Sequence, residues 1–336
     1  MDIGKLPQDM LAQLVSRVKL DPRVVVGPGI GEDAAVIDFG QTLLVAKTDP
    51  ITFATDRIGA YAVHVNANDI AVMGADPKWF LAAILLPETA TPRDASAVFD
   101  QVLSACDALG ISLVGGHTET ALGIDRPIVV GCMLGEVKPE SLVTTAGASP
   151  GDTIMLAGGI AIEGTALLAR EAPDALLSAG LTEELIEVCR DYLVEPGISV
   201  VRAAKAATEA ARVHSMHDPT EGGLATGLAE LAAAAGVGVE VEWDMIPILE
   251  GTAYVCRALG LDPLGLIASG SLLLTLDPSD AQAALIALDR AGIAAAAIGR
   301  VTCSDAGLKL RRDGKLVDLP RFSRDEIARF FAEWRR

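Results

Sequence analysis

Apolar residues are grouped along the first half of the chain in two rhythms. Short β-rich runs at 34–37, 42–46, 80–86, 112–114 and 127–134 alternate with two longer stretches, 59–73 and 93–109, in which apolar positions recur at helical spacing. This pattern predicts one α/β domain between Val24 and Val137. Residues 144–152 (TTAGASPGD) are then a dense run of turn formers, and they mark the expected domain boundary.

The second half repeats the mixture. A strand at 153–157 leads through Gly158 and Gly159 into a helix ending near Arg170, and further helices are expected at 182–192, 199–211, 221–235 and 279–291. Strands at 238–242, 271–276 and 295–301 complete a second α/β domain. Residues 308–317 alternate around Asp313-Gly314, the signature of a tight hairpin, and an amphipathic helix is expected at 323–334. The expected organisation is therefore an N-terminal domain over 1–143, a C-terminal domain over 144–303 and a hairpin-helix extension over 304–336.

Composition narrows the chemistry. Of 336 residues 51% are hydrophobic but only 4% aromatic, so Ala, Val, Leu and Ile must fill two cores. A net charge of −18 opposes a nucleic-acid backbone and excludes DNA and RNA as expected partners. An acidic protein can still bind a polyphosphate when divalent cations bridge carboxylate to phosphate. The five cysteines are widely spaced with no Cys-x-x-Cys pair, and are read as buried thiols. The N-terminal residues, with an amphipathic stretch over 6–18, do not read as a signal peptide, and no apolar run reaches the roughly 18–20 residues of a membrane span. A cytoplasmic protein with no membrane association is expected.

Candidate site residues sit where strands end. The loop 27–33 (GPGIGED) places Glu32 and Asp33 behind three glycines that permit close approach of a ligand. Thr48-Asp49-Pro50 follows a β-run. Asn66, Asn68 and Asp69 interrupt an otherwise apolar helix and need partners there. Gly115-Gly116-His117-Thr118-Glu119-Thr120 follows another strand, with His117 and Glu119 on one side of an extended segment. In 217–224 (HDPTEGGL), Asp218 or Thr220 is a natural helix cap, but capping leaves the double glycine unexplained. Residues 159–165 (GIAIEGT) look like a phosphate loop without its lysine, so they are not one, although Gly158 and Gly159 could still meet an anion. No residue is singled out as catalytic.

Taken together, GEDAAVI (31–37), TDPIT (48–52), NANDIAVMGADP (66–77), GGHTET (115–120) and HDPTEGGLA (217–225) resemble the AIR synthase superfamily, which includes thiamine-monophosphate kinase, selenophosphate synthetase and HypE. The resemblance implies a two-domain PurM-like α/β (α+β) fold whose N-terminal domain dimerises through its sheet, and ATP and Mg²⁺ as cofactors. It implies Asp33, Asp49, Asp69, Glu119 and Asp218 as metal ligands, with Gly31, Glu32, Asp33, Asn66, Gly115, Gly116, His117 and Thr118 along the nucleotide. The implied reaction is phosphoryl transfer to, or activation of, an oxygen of a small acceptor. A nucleotide-binding accessory protein with altered catalysis, acting through partner binding, is the alternative.

Within the superfamily, residues 217–241 and 259–274 are most similar to HypE, which dehydrates a carboxamide on its own C-terminal cysteine. Here Cys303 is the last cysteine and residues 328–336 contain none. His117 stands where many relatives carry an acid, and Ser269 where HypE has a glutamate.

Overall fold

The computed structural model describes residues 8–334 apart from 30, 53 and 55, so Leu6 and Pro7 of the amphipathic stretch and Ile30 of the glycine loop lie outside the described residues. The chain forms two compact units. The N-terminal unit comprises Leu20–Gly27 and Asp33–Leu142; the C-terminal unit gathers Val143–Arg336 with Met1–Lys19 and Pro28–Glu32.

After helix α1 (Gln8–Val15), the N-terminal unit runs β1 (Val24–Val26), β2 (Ala35–Asp38), β3 (Leu43–Ile51), α2 (Ile58–Ala71), β4 (Asp76–Leu86), α3 (Pro92–Leu109), β5 (Ser112–Thr120) and β6 (Ile128–Val137). These strands form one sheet in the order β1-β2-β3-β6-β4-β5, antiparallel except for the β4–β5 pair. Helix α2 lies on β3, β6 and β4, with α3 beside it. Its approach depends on Gly131 and Gly135 of β6: a Cβ at the first would overlap the Asn66 amide, and at the second Ile70. Helix α3 starts sharply because Thr91 and Asp94 form a reciprocal capping box with Pro92 in the first turn.

Strands β3, β4, β5 and β6 all run further than the apolar pattern predicts, and two of these extensions carry motif residues. β3 continues through Thr48, Asp49 and Pro50, pairing with β6 as far as Ile51. Proline is tolerated there because the β2 pairing stops at Ala46, leaving that side of β3 without a ladder to break. β5 continues through the whole glycine motif, with Val114 bulged between the Phe80–Leu113 and Leu81–Gly115 pairs. Gly116, at φ 149°, allows the bulged strand to close on β4, since any Cβ would strike the Ala82 carbonyl.

The C-terminal unit follows as β7 (Thr153–Ala157), α4 (Ile162–Glu171), α5 (Pro173–Ser178), α6 (Glu183–Asp191), α7 (Val201–Ala210), β8 (Val213–His217), α8 (Gly223–Ala235), β9 (Gly238–Glu242), α9 (Glu250–Leu259), β10 (Leu272–Leu276), α10 (Ala281–Arg290), β11 (Ala295–Thr302), β12 (Leu308–Arg312), β13 (Lys315–Asp318) and α11 (Glu326–Trp334). Its sheet has the order β13-β12-β9-β11-β7-β10-β8, again mostly antiparallel. Both units are thus α+β. Leu224, Leu228 and Leu231 of α8 pack with Ile154, Leu156, Val239, Leu273 and Ile298 of the sheet to make the core. Among the described residues no helix is long and apolar enough to cross a membrane.

Candidate functional site

In the N-terminal unit, the motif residues of β3 and α2 meet. Asp49 lies on β3 and Asp69 on α2, and the ammonium of Lys47 stands 3.3 Å from a carboxylate oxygen of each. Strand alternation puts Lys47 and Asp49 on one face, and helix α2 brings Asp69 over that face from above. Asp69 is almost wholly buried, 5% exposed, while Asp49 is open on one side. One cation therefore holds two carboxylates drawn from different elements. A pair of carboxylates within reach of a single positive charge is a donor set that fits Mg²⁺, which takes one or two carboxylates and fills its remaining positions with water or phosphate oxygen. Lys47 was not among the residues singled out from the sequence, because an isolated lysine on a strand carries no motif.

Asn66 has a different task from the one its motif implies. Its side chain is 0% exposed, accepts the Asp49 N–H at 2.9 Å and donates to the Ala62 carbonyl at 2.8 Å. A longer contact of 3.4 Å reaches the Asp49 carbonyl. The amide thus supplies the backbone partner that β3 lacks beyond its β2 pairing. It fastens the strand under Asp49 and has no face left toward solvent. Asn68 is likewise fully buried.

The β5 motif is elsewhere. Asp49, Gly131, Ala82 and Gly116 form one row across β3, β6, β4 and β5, which places Gly116 three strand spacings, about 14 Å, from Asp49. That exceeds the reach of one ion, so Glu119 is not brought to Asp49 and Asp69 within this unit. His117 and Glu119 instead face each other at 3.2 Å on an edge strand, 68% and 54% exposed, with Gly115 and Thr118 also exposed. Asp33 is buried just before β2.

In the C-terminal unit, β8 ends at His217, whose Nε2 lies 3.0 Å from Glu230 Oε2 on α8. Asp218 follows and is buried. The N-cap position falls on neither Asp218 nor Thr220: α8 begins only at Gly223, and its N-cap is Gly222. The double glycine has a steric cause, since both residues have positive φ and a Cβ on Gly223 would come within 2.5 Å of the Leu264 carbonyl. Gly31, also at positive φ, lies against the Glu230 carbonyl, 2.7 Å from where its Cβ would stand, so the segment carrying Gly31 and Glu32 rests on α8.

Several backbone groups of the GIAIEGT segment are already engaged within the protein. The Gly158, Ile160 and Gly164 amides donate to the carbonyls of Ala294, Pro247 and Ile267, and the Gly159 carbonyl accepts from Ser271 at 2.8 Å. Glu163, in the first turn of α4, is instead a buried carboxyl that sequence reasoning missed. Burial pushes it up to about 7, opposed by hydrogen bonding from Ser269 and reinforced by Asp325 and Glu221. Its Oε2 is enclosed without a hydrogen-bond partner. Asp325 is pushed up to about 6, again chiefly by burial. The site in which Ser269 stands thus has a carboxyl of its own, supplied by a different segment.

Family models match most of the chain: the AIR synthase related protein N-terminal domain over residues 31–137, and its C-terminal domain over residues 149–309. A carbamoyl dehydratase HypE of Azotobacter vinelandii is 30% identical over 90% of this chain and 86% of its own. Among solved structures, hydrogenase maturation protein HypE in complex with ATP aligns with a TM-score of 0.72 at 25% identity, covering 95% of this chain and 91% of that one. Thiamine monophosphate kinase from Aquifex aeolicus shares the fold at a TM-score of 0.67 and 20% identity, covering 92% and 97%.

Proposed function

The chain belongs to the AIR synthase related protein family, and from that premise we propose that it binds ATP with Mg²⁺ and uses it to phosphorylate, or so activate, an oxygen of a small acceptor. The observation that carries this reading is the convergence of Asp49 and Asp69 on Lys47. In an acidic protein, a preformed pair of carboxylates is the means of binding a polyphosphate, because the metal reverses the sign of the local charge. Asp49 and Asp69 would hold an ion in the N-terminal unit, and Asp33 and Asp218 are the further carboxylates that the family resemblance assigns to metal. Mg²⁺ would supply charge neutralisation on the phosphates, and the protein's part in such chemistry is chiefly positioning. The ion would compete with the Lys47 ammonium for the same oxygens. The HypE structure in complex with ATP supports the choice of nucleotide; the name of the Azotobacter vinelandii relative, a carbamoyl dehydratase, supports a carboxamide oxygen as the acceptor, and the thiamine monophosphate kinase neighbour supports a phosphate oxygen.

The exposed β5 edge supports a homodimer formed through this sheet. A nine-residue strand with most side chains and one backbone edge open to solvent is a template for pairing with a second copy. Such pairing would also offer Glu119 and His117 to a partner.

Calorimetry with Mg²⁺ and ATP tests the reading. Asp49→Asn and Asp69→Asn should each weaken metal-dependent ATP binding by about tenfold or more, equivalent to at least about 1.4 kcal/mol. Wild-type affinity in both variants would refute the assignment. Tight binding with no Mg²⁺-dependent turnover on any acceptor would favour the accessory-protein alternative.

A further inference from the structure

The segment following β13 lies outside residues 149–309 matched by the family model, yet it is built into the loop that carries Asp218. Leu319 and Phe322 join the core, and the Phe322 ring occupies the space that a side chain at Gly265 would need. The Glu326 N–H donates to the Gly265 carbonyl at 3.0 Å, and the Glu326 carboxylate accepts the Asp262 N–H at 3.0 Å. Between these contacts sits Asp325, 3% exposed. One oxygen accepts the Gly222 N–H at 2.6 Å and the other the Ile327 N–H at 2.8 Å.

Gly222 is the first of the two glycines in the 217–224 motif and is the N-cap of α8, with no side chain to cap the helix. The turn before it is held from the opposite side, where the Thr220 carbonyl accepts the N–H groups of Gly223 at 3.0 Å and Ala268 at 3.2 Å. Asp325 therefore supplies the acceptor for this turn from a distant part of the chain, 103 residues on. A carboxylate that serves a metal must be held in place, and the turn that follows Asp218 has this clamp at its end.

We infer that Asp325 is a positioning residue for the proposed metal-nucleotide site, fixing the Asp218 loop through the Gly222 amide. The inference rests on the Mg²⁺ and ATP reading above. An amide cannot replace this carboxylate: Asn offers one acceptor oxygen and an NH₂ group that meets the second N–H donor to donor.

The test is titration of Mg²⁺ at saturating ATP, and of ATP without metal, on the full chain. Asp325→Asn should raise the Mg²⁺ concentration for half-saturation by about tenfold, the loss expected when an outer-shell partner is removed, while affinity for metal-free ATP stays within about twofold. Val301→Ala, a core truncation in β11, supplies a destabilised control and should leave both values as in the wild type. The inference is overturned if Asp325→Asn keeps the wild-type Mg²⁺ dependence, or if Val301→Ala shifts it equally. Absence of any Mg²⁺-dependent ATP binding in the wild type would instead remove the proposed function, and this inference with it.

Discussion

Asn66→Ala separates two readings of one residue. As a nucleotide contact, Asn66 would be dispensable to the empty protein, and its truncation would lower ATP affinity alone. In the structure it is a buried staple with bonds to the Asp49 N–H, the Ala62 carbonyl and, at greater length, the Asp49 carbonyl. The Ala62 carbonyl keeps its place in the α2 ladder after truncation, but the part-buried Asp49 N–H loses its acceptor. A stranded buried donor costs about 1–3 kcal/mol, and the void beside Gly131 and Phe80 adds to it, for a total of about 2–4 kcal/mol. The apo protein should then melt roughly 10 °C lower. Trp79 on β4 reports on this unit when Trp243 and Trp334 are replaced by Phe, so urea unfolding followed by fluorescence in that background gives the number directly. An Asn66→Ala midpoint that coincides with its parent's in the absence of nucleotide would refute the staple and restore the contact.

Glu163 makes a prediction in pH. Its carboxyl is raised from an ordinary 4.5 to about 7 in the folded protein, so the folded state binds the extra proton between those values. The stability this confers is complete below pH 4.5 and is lost as pH rises through 7, a swing of about 3 kcal/mol for one group. Glu163→Gln cannot ionise, so between pH 4.5 and 8 the stability difference should move in the variant's favour by about that amount; parallel stability-pH profiles from urea unfolding would contradict it. For the β5 edge, light scattering should find a dimer in the wild type and a monomer in Val114→Asp, which puts a charge on an exposed apolar position of the strand. A wild-type monomer at micromolar concentration would remove the dimer.

Much of the architecture was legible in local pattern. Alternation and helical spacing located α2, α3, α8 and most strands, and the Asp313-Gly314 pair marked the β12–β13 turn. Glycine-rich and acidic motifs drew attention to Asp49 and Asp69, which the fold does bring to one lysine. Such features are readable because they repeat over two to four residues, the range across which backbone geometry correlates neighbouring side chains.

What escaped the sequence was partnership over long separations. β8 has little apolar rhythm of its own and becomes a strand because β10 supplies its ladder. Asn66 looked like a ligand contact because its partner Asp49 is 17 positions away, and only the packing of α2 on β3 turns that amide toward backbone. Glu119 shared an acidic motif style with Asp49, yet sheet order put two strands between theirs. Glu163 lies in a glycine-bounded segment that drew attention only for its glycines, and Asp325 carries no motif; their raised carboxyls arise from burial beside each other and Glu221, a low-dielectric neighbourhood assembled from three distant segments. The sequence by itself determined which elements form and where acids meet glycines. The tertiary structure decided which of those acids are neighbours, because strand order and helix docking, unlike periodicity, are set by the whole core.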